Sequence, residues 1–211
     1  MEAASQPARR RQAAAIFLGH RIRTRDRVVA AAYFAAAAGR WARWSVEPSH
    51  VASVEAGLDA CRAPSLAVDV GTGTGAAAAV AARRFPDATV IGVDPSRRML
   101  ERARRAHRAV NLSFHRARAR ALPVPDGRAD LVVCLNAVPD PVELRRALAA
   151  RGQVLAATST TSMGERTGEW ADRWREVGFE RVAAGDAGGG SWELFERQGV
   201  PGASAGQGAS S

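Results

Sequence analysis

The stretch "LAVDVGTGTGAAAAVAARRFP", residues 66–86, constrains the fold more than any other part of this chain. A short apolar run broken by one acid reads as a strand buried on both faces. Three glycines at alternate positions follow it, and then an alanine-rich helix closed by Pro86. "ATVIGVD" (88–94) and "PSRRMLERARRAH" (95–107) repeat the strand-to-helix step, with Pro95 suited to a first helical turn. Such a βαβ beginning demands a parallel sheet with helices on its faces.

The rest of the chain continues the rhythm. "NLSFHRA" (111–117), "ADLVVCLNAV" (129–138) and "GQVLAATST" (152–160) read as strands, "PVELRRALAA" (141–150) and "GEWADRWREVG" (168–178) as helices. Two last strand-like runs, 179–186 and 191–198, are separated only by "AGGG", too little for a crossover helix, so the final strand must return antiparallel. The expected fold is α/β: a Rossmann-like, doubly wound, mostly parallel seven-stranded sheet with a C-terminal antiparallel hairpin. Residues 1–60 are expected to form a helical cap, 61–198 the sheet domain and 199–211 a disordered tail.

Composition excludes some classes. At 46% hydrophobic and 24% charged residues the chain is globular. Its net charge of +9 comes from arginine alone, without lysine, which suggests a coding preference across the chain. Nine arginines against three acids in residues 1–50 leave an anionic partner open, RNA among them, though solvated arginines are the simpler account. Cys61 and Cys134 are far apart and form no disulfide framework or zinc pattern, so no metal and a reducing cytoplasm are expected. The longest apolar run, 28–39, is too short to span a bilayer, and "RRRQAAAIFLGHRIR" (9–23) reads as helix rather than export signal.

Ligands of an open parallel sheet lie at the carboxyl ends of its strands, where strand order reverses. There Gly71 and Gly73 allow a tight turn and close approach of backbone, and Gly75 close packing of the next helix. Asp94, ending the second strand, can accept both hydroxyls of a ribose. Gly71, Gly73 and Ala76 also satisfy the dinucleotide pattern. Against that reading stand Asp69, which a diphosphate would avoid and a cationic ligand would welcome, the terminal hairpin, and the little chain left for a second domain.

Over residues 28–198 the chain resembles the class I S-adenosylmethionine-dependent methyltransferases, in particular the small type 11 group. "VDVGTGTG" is similar to their D/E-x-G-x-G-x-G motif, "GVDPSRRMLERAR" to the segment after the second strand, and "YFAAAAGRW" to the aromatic lid motif. "ALPVPDGRADLVVCLNAV" resembles the stretch that brings the third and fourth strands to the cofactor. The resemblance implies S-adenosylmethionine as cofactor and roles by position. Asp69, Gly71 and Gly73 would hold the methionine part, Asp94 the ribose, and Ser96, Met99 and the backbone of Ala119 the adenine, with Thr72 and Pro95 also among the cofactor-binding residues. Asn136 would sit beside the methionine moiety or the transferring methyl, and Tyr33 would close over the carboxylate from the lid. Three positions depart from the pattern. Where the family often has an acid, four residues before Leu122-Pro123, stands Arg118, which only donates. The lid motif has Ala42 after its tryptophan, and the glycine turn before the fifth strand is reduced to Gly152.

The implied reaction is in-line methyl transfer to a small-molecule acceptor, with RNA methylation or a non-catalytic nucleotide-binding module as alternatives. No triad or metal cluster is visible, so no catalytic residue is assigned. Of the four histidines, His20 and His50 lie in the cap, with His50 the one candidate base. His107 suits a helix C-terminus by charge, and His115 is expected to be packed within its strand. Trp170 and Trp174, at helical spacing, read as core.

Overall fold

A computed structural model describes residues 48–137, 139–159 and 174–198. Within them α1 (Pro48–Asp59), β1 (Leu66–Val70), α2 (Ala76–Arg84), β2 (Thr89–Asp94), α3 (Arg97–Ala106) and β3 (Leu112–Arg116) follow in order. Then come β4 (Ala129–Leu135), α4 (Pro141–Ala147), β5 (Leu148–Ala157), β6 (Phe179–Ala187) and β7 (Gly190–Arg197). The seven strands form one sheet in the order β3-β2-β1-β4-β5-β7-β6. The first five strands of that order run parallel and β7 is antiparallel to both its neighbours, as the short "AGGG" link requires. Order reverses between β1 and β4, so the tips of these two strands open the crevice where an α/β sheet takes its ligand.

Two apolar layers hold the sheet. On one face α1, α2 and α3 bury Val54, Leu58, Ala77, Ala81, Leu100 and Ala103 around Phe114. The alanines of α2 let that helix lie close to the strands: Ala76 through Ala82 are all buried. On the other face Leu144, Leu148, Trp174, Phe179 and Phe195 pack together, with the Trp174 and Phe195 rings edge-on at 4.6 Å. Trp174 is core, as its spacing suggests; Trp170, and the tail from residue 199, lie outside the described residues.

The described part of the expected cap is α1, which lies against the sheet over β5, β6 and β7. Gly57 makes this possible, since a Cβ there would come 2.4 Å from Leu155 Cδ1. Two local expectations need correction. The helix expected over 141–150 ends at Ala147, because Leu148 turns extended and is buried against Gly152, pairing with Ala129. His115 is exposed rather than packed, because β3 is an edge strand, and its Nε2 lies 3.1 Å from Ser113 Oγ.

Candidate functional site

The site grows from the register of β1 and β2. Asp69 pairs with Gly92 and Val70 with Val93, so Asp94 stands one step beyond the end of β1, beside the glycine loop. The loop is fastened at its start: the amides of Gly71 and Thr72 both donate to Val93 O at 2.9 Å. A side chain at Gly71 would strike Ala137 Cβ at 2.7 Å, which is why the tip of β4 can lie against it. Gly75 caps α2 at φ 88°, and a Cβ there would meet Phe114 and His107. Gly73 differs. At φ 54° it needs glycine for its backbone, yet its missing Cβ would meet no atom closer than Gly71 O at 3.9 Å. The backbone therefore presents an open face at Gly73.

Asp94 borders that face. Its Oδ2 accepts from Gly73 N at 3.1 Å and its Oδ1 from Ser96 N at 2.8 Å, and the side chain is half-buried. Both oxygens are thereby oriented while keeping lone pairs for further donors. Ser96 caps α3, its hydroxyl accepting from Met99 N, and Met99 is buried in that first turn. Pro95 is exposed and its carbonyl accepts from Arg116 Nε at 3.1 Å.

Asp69 is placed differently from Asp94. It is buried, and its Oδ2 accepts from both Thr72 Oγ1 (2.6 Å) and Ala78 N (3.0 Å). It braces the glycine loop onto the start of α2 from within. Burial pushes its carboxyl up to about 7, against the pull of the Thr72 and Ala78 hydrogen bonds and with a smaller push from Asp94. A positive charge above the loop would restore the ionised form.

At the tip of β4, Asn136 adopts φ 54°, the one non-glycine residue in the left-handed region among those described. Its amide is tied to the residues just past β5: Nδ2 donates to Ser159 Oγ at 2.9 Å and Ser159 N donates to Oδ1 at 3.0 Å. The sequence offered no signal for Ser159, whose partnership spans two strands. A second unforeseen group holds the loop before β4. Glu143 accepts from Leu122 N, and Arg146 chelates Glu143 while donating to the Leu122 and Val124 carbonyls and to Asp126. The Arg146 hydrogen bonds hold the Glu143 carboxyl below the usual range. Together they pin residues 122–126; their i, i+3 spacing on α4 was the available clue. Ala119 is half-buried in the turn that Ala121 N closes onto Arg118 O, and the Arg118 side chain is exposed.

The structure thus brings Asp69, Gly71, Thr72, Gly73, Asp94, Pro95 and Ser96 into one connected unit, with Asn136 beside it through Ala137. Ala119 and Met99 lie on the flanking loop and helix, and Tyr33 and His20 lie outside the described residues. His50 is buried near the start of α1, and burial lowers its ring to about 4, so it stays neutral at ordinary pH. His107 ends α3 as expected, but burial, with Arg83 nearby, lowers its pKa; the charged form that would favour the helix dipole is disfavoured.

Residues 67–158 match the methyltransferase domain family. Over those residues the chain is similar to the class I S-adenosylmethionine-dependent methyltransferases.

Two curated relatives share the domain's sequence. A trans-aconitate 2-methyltransferase of Methylobacterium radiotolerans is 41% identical over 111 residues, 50% of this chain and 42% of the relative. A malonyl-[acyl-carrier protein] O-methyltransferase of Xylella fastidiosa is 39% identical over 83 residues, 37% of this chain and 28% of the relative. The chain therefore spans less than half the length of these relatives. In fold it is similar to a chain from the complex of the Haloferax volcanii Trm112 methyltransferase activator with a methyltransferase. The TM-score is 0.66 at 18% identity, over 78% of this chain and 97% of that one. The cofactor of the methyltransferase domain is S-adenosylmethionine, and the cleft fits it: an open backbone face at Gly73, an oriented carboxylate for a diol at Asp94, and a desolvated carboxylate beneath the loop for a cation. Among the described residues, no helix is long and apolar enough to cross a membrane.

Proposed function

We propose that this protein transfers the methyl group of S-adenosylmethionine to a small-molecule acceptor by in-line displacement. The observation that carries the reading is Asp94, fixed by Gly73 N and Ser96 N at the rim of the open loop. There its two oxygens would accept the ribose hydroxyls. Gly71, Thr72 and Gly73 would line the methionine part, with Asp69 supplying negative charge beneath it. Ser96, Met99 and the Ala119 backbone would border the adenine, and Pro95 the ribose.

When bound, the cofactor supplies a methyl group already activated by a sulfonium. The chain has to align the acceptor and exclude water, which accounts for most of what such a site must do. The Asn136–Ser159 clamp fixes the tips of β4 and β5, the floor over which an acceptor would approach. The acceptors in the two relatives' names, trans-aconitate and a malonyl group, are carboxylic acids, ionised at neutral pH. A nucleophile of that kind needs no general base, and burial, by lowering His50 to about 4, leaves that ring a weak one. The RNA alternative rested on the basic N-terminal region and draws no support from these relatives. We place the chain in the cytoplasm on its two free cysteines.

The test is turnover. Purified protein is incubated with S-adenosylmethionine and a panel of small carboxylic acids, including trans-aconitate, and formation of the demethylated cofactor is followed. Acid-dependent formation is expected. Cofactor binding without turnover on any acid, or turnover with RNA alone, contradicts the reading.

A further inference from the structure

Arginine is unevenly distributed over the folded domain. Between Arg97 and Arg120 nine arginines stand against a single carboxylate, Glu101. The remaining described residues reverse this, with ten arginines against fourteen carboxylates. A coding preference for arginine, acting on the whole chain, does not produce that contrast. Elsewhere in the domain Arg62, Arg84, Arg146, Arg151 and Arg181 are paired with Asp or Glu. On α3 the one such pair among the described residues is Arg97 with Glu101.

The other charges of α3 are ordered. Met99, Leu100 and Ala103 bury one side of α3, and Arg98, Arg102 and Arg105 stand exposed on the other at i, i+4 and i+7. Among the described residues no carboxylate forms an ion pair with any of these three. At a rise of roughly 1.5 Å per residue they span about two turns, the repeat of a second helix bearing carboxylates at the same spacing. At the carboxyl end of α3 a groove of about 600 Å³ runs toward β3, lined by His107, Arg108, Val110 and His115 and by no carboxylate. Val110 is fully exposed there.

We infer that the outer face of α3, with the adjoining groove at Val110, is a docking surface for an acidic amphipathic helix of a partner protein. The charge calls for an anionic partner, and the exposed valine for one with an apolar edge. A polynucleotide fits less well. The large apolar side chains exposed in the described residues are Val110, Val142 and Val182, which give bases no aromatic platform. An added strand fits less well too, because Arg104 Nη2 already donates to Phe114 O on edge strand β3 at 2.6 Å. Since α3 begins next to Asp94, the partner would sit beside the cleft, but the inference does not depend on what that cleft does.

The experiment uses the full chain and three labelled probes. One is a helical peptide of Glu, Leu and Ala with its glutamates along one face. The second has the same composition in scrambled order, and the third is a uridine oligonucleotide. Anisotropy titrations at physiological salt should show the patterned peptide binding at least about tenfold more tightly than either other probe. The variant R98E/R102E/R105E should lose that binding by about tenfold or more. Its circular dichroism and melting should stay at wild-type values, because the three side chains are exposed and make no bond within the described fold. Equal binding of the two peptides, tighter binding of the oligonucleotide, or an unchanged affinity in the folded variant overturns the inference.

Discussion

Replacing Asp69 by Asn should stabilise this protein at alkaline pH and leave it nearly unchanged at acid pH. Both hydrogen bonds to Asp69 fall on one oxygen, from Thr72 Oγ1 and Ala78 N. The single carbonyl oxygen of Asn can keep both, so the brace survives while the buried charge is removed. The carboxyl is raised from 3.8 to about 7 chiefly by burial. An acid raised on folding binds its proton in the native state and not in the unfolded one between those two values. Stability is therefore fully present below the lower value and falls as pH climbs toward the upper. The interval sets an upper bound of ~4 kcal/mol on the loss, a large part of an ordinary domain's stability. Urea denaturation of wild type and Asp69→Asn at about pH 3.5 and about pH 8 measures it. The variant's advantage should be small at the lower pH and ~2–4 kcal/mol at the higher. Donor binding should move oppositely: the variant should lose affinity for cationic S-adenosylmethionine more than for its uncharged-sulfur product. A difference in stability that stays flat between the two pH values would refute the reasoning, because Asp69 would then carry the same charge folded and unfolded.

Other substitutions test the supports of the site. Asn136→Ala should be less stable than Asn136→Gly by ~1 kcal/mol in the same denaturation assay, since both lose the Ser159 clamp but only Ala resists the left-handed backbone. Glu143→Ala should lower stability by ~2 kcal/mol at neutral pH by releasing Leu122 N and Arg146. Because the Glu143 carboxyl is held low, that deficit should shrink as pH falls through its range, where wild type protonates as well. Trp174→Ala, emptying the space against Phe195, should cost ~3–5 kcal/mol by calorimetry or urea melt, with cofactor affinity retained in the folded fraction.

Much of this architecture was legible in the sequence because it is locally encoded. Buried parallel strands announce themselves as apolar runs, and "AGGG" leaves β7 no route but an antiparallel return. The loop and Asp94 were legible for the same reason: their chemistry lies within thirty residues of continuous chain, from Asp69 to Ser96. What was not legible depends on tertiary neighbours. An acid inside an apolar strand could have faced ligand or helix, and only the packing of α2 turns Asp69 inward onto Ala78. His115 looked like a strand interior residue, but its exposure follows from β3 lying at the sheet's edge. The helix at 141–150 has good helical composition to its end, and the burial of Leu148 against Gly152 overrides it. Asn136 stood out at a strand tip, but its partner Ser159 lies 23 residues on and has no local mark.

Isothermal titration with the demethylated cofactor, on wild type and on Asp94→Ala, tests the central claim most directly. Wild type should bind, and the variant should bind about 100-fold more weakly, as expected for two lost hydrogen bonds to a carboxylate at ~1.5 kcal/mol each. Its melting curve serves as the check that the loop still folds. Equal affinity in the two proteins, or no binding by wild type, would contradict a ribose held at the end of β2 and the methyl-transfer reading built on it.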